Sequence, residues 1–418
     1  MKKILILGAG TAGTMMANHL DKKVDKKKWS ITIIDQHEKH YYQPGFLFIP
    51  FGIYSEEDVT KEKTKFLPKG VEYIQSAISL IEAQENQVVL NNKKVISYDI
   101  LIIATGCDIA PDEIEGLAKG WRKNIFDFYT FEGSVALREK LKDWKGGKLV
   151  LHIAEMPIKC PVAPLEFAFL ADWFFSEKKG IRKDVELIYV TPLESAFTKP
   201  KSSGVLGDLF PKKGIEMVIN FNVSHVDAKR KKLVSLDGKE VDYDLLVTIP
   251  PNMGSELIER SDLGDDLNFV PTDKHTLQSK AHENMFVIGD ATDIPASKAG
   301  SVAHFEAEIL TENILSYINK KPMNAHFDGH ANCYIESGYN KAFLIDFNYE
   351  YEPVEGTFPL PGIGPFSLLK ETRINHFGKM AFRHIYWNML LKGIPIPTVP
   401  PRMKKSGKKF DIELMRLF

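Results

Sequence analysis

Only three cysteines, Cys107, Cys160 and Cys333, occur in 418 residues. That excludes a disulfide framework and fits an intracellular chain. No stretch reaches the roughly 18 consecutive apolar residues of a membrane-spanning helix, so none is predicted to cross a bilayer. The opening KKILILGAG is too short for a signal-peptide core and has no small-residue cleavage site after it, so no signal peptide is expected. Lys and Arg (54) balance Asp and Glu (55) to a formal charge of −1, which implies no nucleic-acid partner. There is no P-loop and no Ser-His-Asp arrangement. The histidines, among them His19, His152, His282 and His304, lack metal-ligand spacing, so no metal site is expected. What the chain has in quantity is apolar sequence, 44% of its residues, enough for two or three domains with cores of their own.

The first positive signal is local. KILIL runs into Gly8-Ala9-Gly10-Thr11-Ala12-Gly13, then a helical TMMANHL, then SITIID ending in Asp35, with Gln36 following. This is GxGxxG in a strand–turn–helix context with a carboxylate 22 residues after Gly13. The glycines let the backbone approach a pyrophosphate at a helix N-terminus, and Asp35 is placed to bond a ribose hydroxyl. A dinucleotide is therefore the expected ligand.

The second signal is a repeat. KILIL (3–7) resembles KLVLH (148–152) and SYDILIIATG (97–106) resembles DYDLLVTIPP (242–251), both at an offset of 145. Each copy carries a hairpin pattern before its second landmark. The same offset carries Gly8, Gly10 and Gly13 onto Ile153, Glu155 and Ile158, so the second copy lacks a phosphate cradle. It has AEMPIKCPVAPLEF (154–167) there instead, which puts Cys160 in the crevice where such sheets bind ligands. Pro161 predicts an extended backbone at Cys160, and Pro164 is expected at the first helical position. A thiol just before a helix N-terminus is expected to be more acidic than a free one.

A third segment, NMFVIGDATDIPASKAGSVAHFEAEIL (284–310), reads as a buried strand, then Gly289-Asp290, then Lys298 ahead of a long helix. With GxGxxG at the start and ATG at 104–106, VIGDA resembles the flavoproteins with two dinucleotide-binding domains. Within them YYQPG (41–45), IKCPVAP (158–164), IPPN (249–252), SKAG (297–300) and CYIESG (333–338) resemble the sulfide:quinone oxidoreductases. The resemblance implies an α/β fold with two Rossmann-like domains, the second degenerate. It also implies FAD at Gly8, Gly10, Thr11, Ala12, Gly13, Asp35, Gln36, Thr105, Gly106, Gly289 and Asp290. Pro44 matches a proline beside the isoalloxazine, and Lys298 a lysine at the N1–C2=O edge, where reduced flavin carries negative charge. Cys160 and Cys333 match the redox pair that oxidises sulfide, and Glu166 a glutamate that moves protons near the quinone. The family's flavin-tethering cysteine, roughly twenty residues after ATG, is replaced by RKNIFDF (122–128); the third cysteine follows Gly106 directly as Cys107.

A quinone partner implies a membrane. From Thr372 to Phe410 there are nine Lys or Arg and no Asp or Glu. Within that span RINHFGKMAFRHIYWNMLLKG (373–393) places Ile374, Phe377, Ala381 and Ile385 at helical spacing, with Met380, Tyr386, Trp387, Met389 and Leu390 widening the apolar face. This suits a helix lying in an anionic headgroup layer, a subunit interface being the alternative; a homo-oligomer at the inner or cytoplasmic membrane is expected. The expected domains are 1–110 with 255–325 for FAD, 111–254 carrying Cys160, and 326–418 carrying Cys333 and the membrane contact. The rival activities are a type II NADH:quinone oxidoreductase, which needs glycines near 153–158, a sulfide dehydrogenase with a haem partner, and a flavin-containing scaffold without turnover.

Overall fold

A computed structural model describes residues 1–410. The last part of the region expected at 326–418, residues 411–418, lies outside the described residues. Two all-parallel five-stranded sheets form the frame. The first contains β1 (Lys2–Leu7), β2 (Trp29–Asp35), β3 (Val71–Gln75) and β4 (Ile100–Ile103); α1 (Thr11–Lys23) joins β1 to β2. The second contains β5 (Ile125–Phe126), β6 (Gly147–Ile153), β7 (Val185–Val190), β8 (Ile215–Val218) and β9 (Leu245–Ile249), with α2 (Ala163–Trp173) after β6. The chain then returns to the first sheet through β10 (Met285–Val287), so the orders are β10-β4-β1-β2-β3 and β5-β9-β6-β7-β8. The central strands are buried on both faces and read as unbroken apolar runs such as ILIL and ILII, as parallel strands covered by helices must.

The repeat survives in hydrogen-bond register. Ile4 pairs with Ile100 in the first sheet and Leu149 with Leu245 in the second, each residue 145 positions after its counterpart. A three-stranded antiparallel meander precedes β4 and another precedes β9. The turns after β1 and β6 differ. Gly8 sits at φ +92°, where an added Cβ would lie 2.4 Å from the Ala104 carbonyl oxygen, and a Cβ on Gly13 would lie 1.9 Å from the Gly8 oxygen. Strand, turn and helix thus touch through backbone alone, which only glycine permits.

After β10, α3 (Gly300–Ile318) packs on α1. The chain continues as two hairpins, β11 (Ala331–Gly338) with β12 (Lys341–Phe347) and β13 (Gly356–Leu360) with β14 (Gly364–Leu368), and then α4 (Arg373–Asn388). Thr372 caps α4, its hydroxyl accepting the Asn375 N–H.

The expected single apolar face of α4 is in fact divided between two sides. Tyr386 and Trp387 are fully or nearly fully buried, as is Leu390 just beyond the helix, because they pack against α1 and the chain around His40 and Phe66. Only Ile374, Phe377 and Ala381 face outward. Nor is the basic tail wholly a free cationic surface, since four of its nine basic residues are ion-paired. Lys379, Arg383, Lys408 and Lys409 are ion-paired with Glu166, Asp58, Asp346 and Glu355, acidic groups that the sequence supplies from elsewhere. Among the described residues no helix is long and apolar enough to cross a membrane.

Candidate active site

One cavity of about 880 Å³ runs from the turn after β1 to the N-terminus of α2. Its first end is built like a dinucleotide cradle. Gly8 to Ala12 line it, Gly10 faces open space, and the Thr105 hydroxyl is buried without a hydrogen-bond partner. Asp35 is held by three donors: the Ala9 N–H at 2.7 Å, the His37 N–H at 2.8 Å and the Lys63 ammonium at 2.6 Å. Lys63, 3% exposed, was not evident from sequence; burial lowers its pKa against the pull of Asp35. A carboxylate so fixed keeps lone-pair capacity towards the cavity for a hydroxyl. Open glycine turn, orphaned hydroxyl and oriented carboxylate together fit FAD. Gln36, Pro44, Thr105, Gly106, Gly289 and Asp290 line the same cavity.

Lys298 is 8% exposed and lines the cavity; its ammonium donates to the carbonyls of Asp290 (3.0 Å) and Thr292 (2.6 Å) and lies 3.8 Å over the Phe269 ring. Lys159, the residue before Cys160, lies alongside and donates to the Cys107 carbonyl at 3.2 Å. Burial raises the Asp290 pKa, and these two ammonium groups pull it back. Cys107 is 5% exposed in a short strand pairing with Gly254, and burial pushes its thiol up to about 12.

Behind this loop Glu306 of α3 is buried and accepts the Gly289 N–H at 2.7 Å. Burial raises its pKa to about 7. The folded state therefore binds a proton more tightly than the unfolded chain. Its contribution to stability is complete below about pH 4.5 and is lost as pH rises through about 7, on the order of 3 kcal/mol. Glu306→Gln is expected to lose little stability at pH 5 and to gain on the native protein by pH 8, measured by denaturant unfolding at both values.

Cys160 departs from the sequence expectation twice. Its backbone is left-handed, φ +80°, instead of extended; its carbonyl accepts from the Tyr129 hydroxyl (3.2 Å) and the Ala163 N–H (2.8 Å), which together outweigh the preference imposed by Pro161. Strain of this kind concentrates at functional positions. Its pKa is raised instead of lowered, because burial comes first and the Glu166 and Cys333 charges add to it. Pro164 is the second residue of α2, not the first, with Val162 as cap. Cys333 projects from β11, on which α2 packs, and this brings the two thiols within electrostatic range. Both are free, and burial pushes Cys333 up to about 12. Cys160 lines the cavity, whereas Cys333 is not among its lining residues.

At the same end Glu166, 1% exposed, accepts from the Lys379 ammonium at 2.5 Å and from the Glu336 N–H at 2.7 Å. Burial raises its pKa, while Lys379 and the amide lower it. Lys379 also donates to the Tyr334 carbonyl (3.0 Å). Further along α4, the Tyr386 hydroxyl lies 2.7 Å from both the Thr11 hydroxyl and His40 Nε2. Lys379 and Tyr386 were read as surface residues because a lone helical segment does not say which side is covered.

Comparison with known proteins identifies the family. Residues 2–307 match the family model for pyridine nucleotide-disulphide oxidoreductases. The chain is 31% identical to the mitochondrial sulfide:quinone oxidoreductase of Dictyostelium discoideum, over 94% of this chain and 86% of that one. It is 29% identical to the mouse (Mus musculus) mitochondrial enzyme of that name, over 94% and 86%. The X-ray structure of the sulfide:quinone oxidoreductase from Aquifex aeolicus superposes with a TM-score of 0.78 at 22% identity, over 94% of this chain and 92% of that one.

Proposed function

Because the chain belongs to the sulfide:quinone oxidoreductase family, whose members are FAD-dependent oxidoreductases, we propose that it oxidises sulfide through Cys160 and Cys333 and passes two electrons to a membrane quinone. The observation that carries this reading is the position of Cys160. It stands in the crevice of the second parallel sheet, where the first sheet has its phosphate turn, and α2 and β11 bring Cys333 to it.

Hydrosulfide attacks a sulfur of a Cys160–Cys333 bridge, leaving a persulfide on one residue and a thiolate on the other. These then give up two electrons and close a bridge that holds one more sulfur. Bound FAD supplies the two-electron carrier between thiols and quinone. Cys160, which faces the cavity, delivers the electrons. Lys298 and Lys159 hold positive charge beside Asp290, where it would favour negative charge on a cofactor bound there. Glu166, paired with Lys379, supplies a proton as the quinone accepts electrons. The two sheets and the hairpin–helix segment support a division of the chain into 1–110 with 255–325, 111–254 and 326–418, of which 411–418 lie outside the described residues.

Membrane contact is assigned to a flank smaller than the sequence suggested: Ile374 and Phe377 of α4, 51% and 67% exposed, and Ile363 at the tip of the β13–β14 hairpin, 80% exposed. Quinone reaches the Glu166 end of the cavity from that side.

Anaerobic addition of sulfide to the yellow protein is expected to bleach the flavin and a soluble quinone to restore its colour, with no bleaching by NADH. Bleaching by NADH alone would favour the NADH:quinone reading, which Ile153, Glu155 and Ile158 oppose by denying a second dinucleotide a close backbone approach. Tyr386→Phe is expected to weaken FAD retention about tenfold, the equivalent of losing its one hydrogen bond to the Thr11 turn. Flavin fluorescence after dilution measures it.

A further inference from the structure

Glu336 of β11 is 2% exposed, yet its carboxylate is not paired with the nearest lysine. Both of its oxygens lie 2.9 Å from Nδ1 of His376 on α4. The His376 side chain is 16% exposed and is next to Phe377, which stands in solvent at the edge of the outward apolar face. On its other side Glu336 donates its backbone N–H to Glu166, and its carboxylate acts electrostatically on Glu166, Lys379 and Tyr54. Four titratable groups therefore face it: His376 and Lys379 from α4, Glu166 from α2, and Tyr54 from the connection between β2 and β3. Glu166 and Lys379 line the cavity, but Glu336 and His376 do not.

A quinone that accepts two electrons must also accept two protons, and a buried Glu166 that gives one up must be recharged. We propose that His376 and Glu336 are the proton inlet of the quinone half-reaction, taking protons from water at the rim of the outward face and passing them through Lys379 to Glu166. His376 binds a proton at the surface, Glu336 receives it across the 2.9 Å contact, and Lys379 hands it to Glu166 across the 2.5 Å contact. Glu336 and Lys379 act on each other electrostatically, and the inlet requires one bridging water between them. No electron moves in this sequence; each proton given to the quinone is replaced by one from solvent. Glu336 and His376 touch neither quinone nor cofactor, so they are supply and positioning residues, and this inference rests on the quinone reading above.

The test separates the two half-reactions by anaerobic stopped flow in Glu336→Gln and His376→Gly. Sulfide is expected to reduce the flavin at the native rate in both variants. Reoxidation by soluble quinone is expected to slow on the order of 10²-fold, with free imidazole restoring part of the rate in His376→Gly only. A second readout needs no turnover. In resting holoenzyme moved into D2O at mildly acidic pH, the carboxylic C=O band assigned by its loss in Glu166→Gln is expected to shift more slowly when Glu336 or His376 is replaced. Native reoxidation and native exchange in both variants would overturn the inlet, since protons would then arrive by the quinone's own mouth. Equal slowing of both half-reactions would also overturn it, as the sign of a merely structural role. If native protein is not bleached by sulfide, the proposed function fails, and the exchange rates still decide the inlet.

Discussion

Cys160→Ser is expected to retain FAD and remain yellow, yet to lose sulfide-driven bleaching by at least about 10³-fold. Serine is close in size, and the contacts that fix the left-handed turn, from Tyr129 and Ala163, go to the Cys160 backbone carbonyl and persist. What disappears is the sulfur that closes a bridge with Cys333 and faces the cavity. Cys333→Ser is expected to do the same, since neither half of a dithiol couple works alone. Both thiols are pushed up by burial, with the Lys379 ammonium as a counterweight at each. In the free dithiol form they are therefore protonated at neutral pH, and the rate of alkylation by iodoacetamide should climb with pH well beyond the range of an ordinary cysteine. Sulfide bleaching within tenfold of native in either serine variant would remove the dithiol from the reaction.

The second large effect is expected from Lys379→Met. Glu166 is buried beneath α4, and its only positively charged partner among the described residues is Lys379. Removing one member of a buried pair typically costs about 3–5 kcal/mol because the other charge stays desolvated. Glu166 already has a raised pKa, and loss of Lys379 raises it further. Its folded-state pKa then lies above its unfolded value, so stability is held at low pH and lost as pH rises through the folded pKa. The deficit of Lys379→Met relative to native should therefore be small near pH 4 and grow towards pH 8. Adding Glu166→Gln should recover most of it, because the double variant has no uncompensated charge. Urea denaturation of the native protein and the two variants at two pH values measures this. A double variant no more stable than Lys379→Met would mean that packing of the lysine stem, not its charge, is what matters. Quinone reduction should be lost in both, with sulfide bleaching slowed to a lesser degree, since Lys379 also offsets burial at Cys160 and Cys333.

Much of the frame was legible because its signals are local or periodic. Gly8, Gly10 and Gly13 followed by Asp35 specify a strand, turn and helix within one unit, and the offset of 145 recurs as paired hydrogen-bond registers. The second turn was legible as a loss of glycine and a gain of Cys160. What sequence could not show is what meets across long separations. Glu166 and Lys379 lie 213 positions apart, and Thr11 and Tyr386 lie 375 apart. Nothing in the local pattern of either member names the other. The tail shows the same limit from the opposite side. Counting its basic residues was correct arithmetic, but the partners that neutralise Lys379, Arg383, Lys408 and Lys409 come from residues outside the basic stretch or, as Glu355 and Asp346 do, from strands and loops before it. Helical spacing likewise placed apolar residues on α4 without saying that Tyr386 and Trp387 look inward. At Cys160 the dipeptide preference of Cys-Pro was a weaker influence than two hydrogen bonds to one carbonyl.

The contrast between the two sheet turns bears on the history of the fold. At the first turn a single added methyl carbon would collide with backbone, so that turn tolerates no side chain. At the second the space is filled by side chains, and Cys160 depends on that filling for its position. The first turn, residues 8–10, can bring bare backbone up to a phosphate, whereas the second, residues 154–162, is six residues longer and holds a sulfur ahead of a helix. Once one copy of a duplicated module had taken the second course, single steps back towards glycine would have dismantled the thiol site before any cradle was complete. Duplication followed by such a commitment is a one-way path, and it is consistent with a chain that keeps a 145-residue echo of itself in the register of β1 with β4 and of β6 with β9 while the two turns no longer share a form.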